Sequence, residues 1–158
     1  MLILVLLLTA GTAQAQTAVR LTKTAGNPVL PGWYVDPEAA IFGKQYWIYP
    51  TFSVPVGFVF PTNQSDPSKR ISYNQQVLLD AFSSSGLEHW IKHPRVLDTA
   101  CVKGARRAIL APAITEKSGK YYLFFAANDI QNDQQHGSIG VAVADNSAGP
   151  STTIWTTR

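Results

Sequence analysis

The chain has 158 residues, of which 15% are charged and 11% aromatic, and 13 basic against 10 acidic groups leave a net charge of +3. That length holds about one domain and is too apolar for a disordered segment. The charge is too scattered for a nucleic-acid surface, since only Lys103, Arg106 and Arg107 cluster. The single Cys101 excludes an internal disulfide and reads as a small, buried apolar residue.

In chain order, Met1–Leu8 is almost wholly apolar, and Ala13-Gln14-Ala15 satisfies the small-residue cleavage rule. The apolar run is about half the ~20 residues of a membrane span. Residues 1–15 therefore read as a signal peptide, although the usual basic residue near the start is missing. The expected product is secreted, extracellular or periplasmic, with residues 16–158 as its mature domain and no membrane contact after signal removal.

Gly26–Glu38 (GNPVLPGWYVDPE) is a Pro/Gly-rich entry loop running into the first strand. Pro37 is expected to hold Asp36 extended and offers no N–H to a ladder. Trp33 and Tyr34 have flat faces of the kind sugars stack on. Equally well on spacing alone, Asp36 caps a turn and Trp33 fills the core.

Gln45–Thr51, Val77–Ser83, Ile109–Thr115, Lys120–Ala127 and Ile139–Ala144 are short runs rich in β-branched and aromatic residues, cut by turn formers. Tyr121–Phe125 is apolar throughout, which predicts a strand covered on both faces. Asn63–Tyr73 is polar, holds Pro67, and predicts a surface loop with a glycosylation sequon at Asn63-Gln64-Ser65. The three-turn amphipathic pattern of a helix does not occur. The expected class is all-β.

The chain also repeats itself. Ala40-Ile41 and Gly43-Lys44-Gln45-Tyr46-Trp47-Ile48-Tyr49 match Ala113-Ile114 and Gly119-Lys120-Tyr121-Tyr122-Leu123-Phe124-Phe125. Each copy is followed by a further strand, a small-residue turn, and a tryptophan, Trp90 or Trp155. Repeated small sheets predict propeller blades, and this length supplies two. The alternative is a two-sheet sandwich in which the repeat is coincidental.

Four segments, NPVLPGWYVDPEAAIFGKQYWIYPT at 27–51, DAFSSSGLEHWIKHPRVLD at 80–98, LAPAITEKSGKYYLFFAANDIQ at 110–131 and IGVAVADNSAGP at 139–150, resemble the N-terminal part of glycoside hydrolase family 43 in that order. The resemblance implies two blades of a five-bladed β-propeller, truncated after the second, and action on arabinosyl or xylosyl linkages of plant cell-wall polysaccharides with inversion. In that family the Asp of the first-blade Asp-Pro motif is the general base, which here is Asp36. A second Asp, which tunes the acid, and the general-acid Glu belong to the third and fourth blades. The chain alone is thus expected to hydrolyse little or nothing.

Trp33 and Tyr34, with Asn128 and Asp129 where a strand meets a loop, are candidate substrate contacts. The family's usual Trp-Ala-Pro reads Leu110-Ala111-Pro112 here, and Lys103-Gly104-Ala105 stands where a Lys-Trp-Ala run is common. Both changes remove a stacking surface. Arg106 and Arg107 read as solvated or structural. Glu38, two residues from Asp36, would share its face if the segment is extended. Asp80 lies mid-strand and reads as a structural hydrogen-bonding group, while Asp98, Glu116, Asp133 and Asp145 sit in turn contexts and read as solvated. His89 and His93 have zinc spacing only on a helix, which Pro94 and the strand-like surroundings argue against. The sequence implies no metal and no cofactor; the central-channel cation of some family members rests largely on later blades. A second reading is a non-catalytic carbohydrate-binding or assembly module that self-associates through its open blade edge.

Overall fold

The computed structural model describes residues 17–21, 24, 26–53, 76–102, 105, 107–127, 137–149 and 151–156. Among them are nine strands: β1 (Val19–Arg20), β2 (Tyr34–Phe42), β3 (Gln45–Phe52), β4 (Leu78–Ser84), β5 (Ile91–Asp98), β6 (Ile109–Lys117), β7 (Lys120–Ala127), β8 (Ser138–Ala144) and β9 (Thr152–Thr156). The five runs expected from the sequence appear as β3, β4, β6, β7 and β8. The stretch 1–15, the loop 63–73 with its sequon, and Lys103, Gly104, Arg106, Asn128, Asp129 and Asp133 lie outside the described residues.

All strand pairs are antiparallel. The first sheet runs β1-β5-β4-β3-β2 and the second β6-β7-β8-β9. Each is an up-and-down blade of four strands, and the first gains β1 on its outer edge. Two-residue turns close the inner hairpins: Phe42 pairs with Gln45 around Gly43-Lys44, and Lys117 with Lys120 around Ser118-Gly119. Ser118 and Gly119 both take positive φ, 54° and 73°, as a turn matching strand twist requires. Glu116 Oε1 accepts the Gly119 N–H at 2.7 Å.

The blades stack face to face. Trp47, Tyr49, Leu79 and Ala81 of the first meet Leu123, Phe125, Ala127 and Ala142 of the second in one buried cluster. β4 is buried at every position, as a central strand covered on both sides must be. Removing a Leu or Phe side chain of this kind from water stabilises by roughly 1.5–3 kcal/mol. Polar bonds fix the stacking: Tyr49 Oη donates to the Ser147 carbonyl at 2.7 Å, and the Ser151 N–H to the Val96 carbonyl at 2.9 Å.

Two expectations about burial fail. β7 alternates, with Leu123, Phe125 and Ala127 buried but Phe124 39% exposed; only the face turned to the first blade is covered. Cys101 is exposed, because it ends the 3-10 turn Thr99–Cys101 that leaves β5, with Asp98 Oδ1 accepting the Ala100 N–H at 2.9 Å.

Strand polarity sorts the molecule into two ends. The pairs Tyr34 with Phe52, Leu78 with Asp98, Ile109 with Ala127, and Ala127 with Ser138 gather at one of them. The inner hairpin turns lie at the other.

Candidate active site

At the first end, β2 opens with a bulge. Val35 pairs with Thr51 and Glu38 with Tyr49, so Asp36 and Pro37 together oppose Pro50. Asp36 takes φ +48° rather than the extended backbone expected from Pro37. The bulge makes the difference: the ladder already skips this residue, and Asp is among the few non-glycine residues that tolerate the left-handed region. Such a conformation costs of order 1–3 kcal/mol and persists where surroundings over-determine it. The side chain is exposed. Glu38 does not simply share its face, since the bulge breaks the alternation between them.

Trp33 precedes the bulge, 47% exposed, and its carbonyl accepts the Ser53 N–H at 2.8 Å. Tyr34 turns into the blade. Its ring meets Phe82 and Phe52 edge-on, with centroids 5.0 and 5.8 Å away. Its hydroxyl donates to Asp80 Oδ2 at 2.8 Å and accepts from Lys92 Nζ at 3.0 Å. Lys92 Nζ is also 2.9 Å from Asp80 Oδ2. Asp80 Oδ1 takes the Arg95 N–H at 2.8 Å. Asp80, 2% exposed, is therefore a structural hydrogen-bonding group. Burial, above all, pushes the Tyr34 hydroxyl up to about 12, so it remains a donor at neutral pH. Burial alone would lower Lys92, but its bonds to Tyr34 and Asp80 outweigh that and raise it.

Two further bulges lie at this end. Against Asp80 alone, β5 carries Pro94, Arg95 and Val96 between the pairs Ala81 with His93 and Leu79 with Leu97, and Arg95 takes φ +52°. In β6, Ala111 and Pro112 oppose Phe125, and Ala111 takes φ +48°. Its N–H donates to Thr51 Oγ1 at 2.8 Å, joining the second blade's bulge to the residue that pairs with Val35. The repeat thus builds one device twice, Asp36-Pro37 and Ala111-Pro112, and only the first copy carries a carboxylate. Leu110, in the place of the family tryptophan, is half-buried.

The remaining described carboxylates have other surroundings. Asp98 bonds Arg95 and caps the 3-10 turn, so it is engaged rather than solvated. Glu116 and the exposed Asp145, which pairs with Lys120, stand by the hairpin end. His93 lies on β5, with Ser83 Oγ 2.8 Å from its Nε2 and its ring tilted on Trp47 at 4.8 Å. Burial lowers its pKa. Among the described residues, no group of three His, Cys, Asp or Glu side chains could hold a metal ion.

The family model for glycosyl hydrolases family 43 matches residues 25–157. The chain belongs to glycosyl hydrolase family 43. Beta-D-galactofuranosidase xynD of Aspergillus niger is 36% identical over 135 residues, 79% of this chain and 32% of its own length. A xylosidase/arabinosidase of Bacteroides ovatus is 30% identical over 129 residues, 81% and 37% of the two chains. CoXyl43, a β-xylosidase/α-arabinofuranosidase from a compost microbial metagenome solved in complex with xylotriose, aligns at 28% identity with a TM-score of 0.61, over 78% of this chain and 34% of that one. The chain spans about a third of the length of the family 43 relatives it matches. The two stacked sheets are thus two blades of the family's propeller. Of the features described here, the Asp-Pro motif was visible in the sequence. The link from Tyr34 to Asp80 and Lys92 was not, because it joins residues on three strands, 46 and 58 positions apart in the chain.

Proposed function

We propose that this chain carries the water-activating half of an inverting glycosidase site acting on arabinosyl or xylosyl linkages, with Asp36 as general base. The observation that carries the reading is the exposed carboxylate on the first-blade bulge, where the second blade has Ala111. An inverting site needs a base to take a proton from water and an acid, about 6.5–9.5 Å away, to protonate the leaving oxygen. By family resemblance that acid and its tuning Asp come from later blades, and Asp80, Asp98, Glu116 and Asp145 are bonded elsewhere. The chain alone should therefore lose the 10²–10⁴-fold that an acid typically supplies, by order of magnitude, and leave natural linkages uncut. The apolar N-terminal run and its cleavage pattern support export from the cell, which N-terminal sequencing of the mature product checks.

Dinitrophenyl glycosides test the base directly, because dinitrophenolate departs without a proton. With arabinofuranosyl, xylosyl and galactofuranosyl versions, the expected result is slow release that Asp36→Asn abolishes, while xylobiose stays intact. Release that survives Asp36→Asn counts against Asp36. The exposed Trp33 beside the bulge favours a second reading, a non-catalytic carbohydrate-binding module; binding of xylo-oligosaccharide by calorimetry with no release from any glycoside would support it.

A further inference from the structure

We propose that Tyr34, Asp80 and Lys92 are positioning residues that clamp the Asp36 bulge and so aim its carboxylate. This rests on the reading of Asp36 as the base.

The bulge has little of its own to hold it. β2 is the edge of its sheet, so Asp36 has a hydrogen-bonding strand on one side only. At the bulge Pro37 faces Pro50, and neither residue has an N–H to give the ladder. A left-handed Asp in such a place would relax toward extended backbone unless its flanks were fixed. The upstream flank is fixed at Tyr34, two residues before Asp36. Its hydroxyl reaches across β3 to Asp80 on β4 and Lys92 on β5, and its ring is wedged against Phe52 and Phe82.

Asp80 does more than receive Tyr34. Its second oxygen holds the Arg95 N–H, inside the β5 bulge. One buried carboxylate therefore ties two irregular segments together, so movement at either is felt at the other. Lys92 balances its charge and bonds the same phenol, and its ammonium lies 5.7 Å from the Tyr34 ring centroid. The network thus holds the residue two positions before a left-handed carboxylate.

The test uses the 158-residue chain with isotope-labelled aspartate carboxyls, the Asp36 resonance being assigned by its loss in Asp36→Asn. Tyr34→Phe removes one oxygen and keeps the rings; Lys92→Met removes the ammonium and keeps the stem. In both, the Asp36 carboxyl resonance is expected to move and amide exchange at Val35 and Glu38 to quicken at least about tenfold, while Leu123 and Val141 in the second blade exchange as before. An unmoved Asp36 resonance in Tyr34→Phe overturns the clamp. So does an equal quickening in both blades, which marks general stability. Neither readout depends on turnover. A chain whose Asp36 responds to Tyr34→Phe but whose dinitrophenyl glycoside release is indifferent to Asp36→Asn keeps the clamp and loses the base.

Discussion

A carboxylate as deeply buried as Asp80 persists only when its oxygens are occupied, and the Tyr34 hydroxyl, the Lys92 ammonium and the Arg95 N–H occupy both. Asp80→Ala strands an ammonium and a phenol together, and is expected to cost about 2–4 kcal/mol in chemical denaturation, the lower part of the buried-pair range because Lys92 is partly exposed. His93 argues the pH dependence. Burial lowers its folded pKa below the ordinary 6.5, so the folded chain binds fewer protons than the unfolded one in the window just below that value. Its stabilising contribution is complete above 6.5 and is lost as pH falls. Thermal melts of the wild type should decline through that window, and His93→Gln should flatten the decline. At this scale the sequence was legible where chemistry is local. Asp36 stood out by its Asp-Pro context, and Asp80 by its place mid-strand. The left-handed backbone of Asp36 goes with the register break of β2 against β3, and the burial of the Tyr34 hydroxyl depends on partners 46 and 58 positions away in the chain, neither of which local spacing encodes.

Among the described strands, three of the four register breaks lie at the end that carries Asp36, and the fourth falls between β8 and β9. The bulges of β2, β5 and β6 lie toward one end, each with a proline and a positive-φ residue, whereas β7 pairs with β8 without a break from Tyr121 to Ala127. Thr51 couples the blades at the irregular end, and Thr51→Val deprives the Ala111 N–H of its acceptor. It should cost about 1–2 kcal/mol by denaturation. The regular strands have their own constraint: a Cβ on Gly140 would stand 2.2 Å from the Phe125 ring. Gly140→Ala is therefore expected to destabilise by about 1–3 kcal/mol or more through overpacking, read as a lower melting temperature with the bulges intact. The sequence revealed β7 and β3 as apolar runs between turn formers. It marked the start of β2 near Asp36-Pro37 but not the bulge there, and it overstated the cover on β7. Apolarity records what a strand can bury, and its neighbours decide which face is buried.

At the scale of the whole molecule, the two blades are unequal. β4 is closed on both sides, but the second blade is covered only where it meets the first. Its other face presents Phe124, 39% exposed, and Ile139, 60% exposed, one on each of two adjacent strands. Their pairing partners Val141 and Ala126 point the same way and are half-buried, which makes the surface a continuous apolar strip rather than scattered side chains. Contiguous exposed strips of this kind drive association, and a sheet edge beside one adds hydrogen-bonding groups to the attraction. The 158-residue chain is therefore expected to self-associate with rising concentration in sedimentation velocity, more strongly at higher salt because the contact is apolar. Phe124→Thr together with Ile139→Lys should return it to monomer without lowering its melting temperature, since neither side chain belongs to the buried cluster between the blades. If association instead runs through an edge strand, the double variant will associate as the wild type does. A loss of melting temperature in the double variant would mean that this face already contributes to the fold of the single chain.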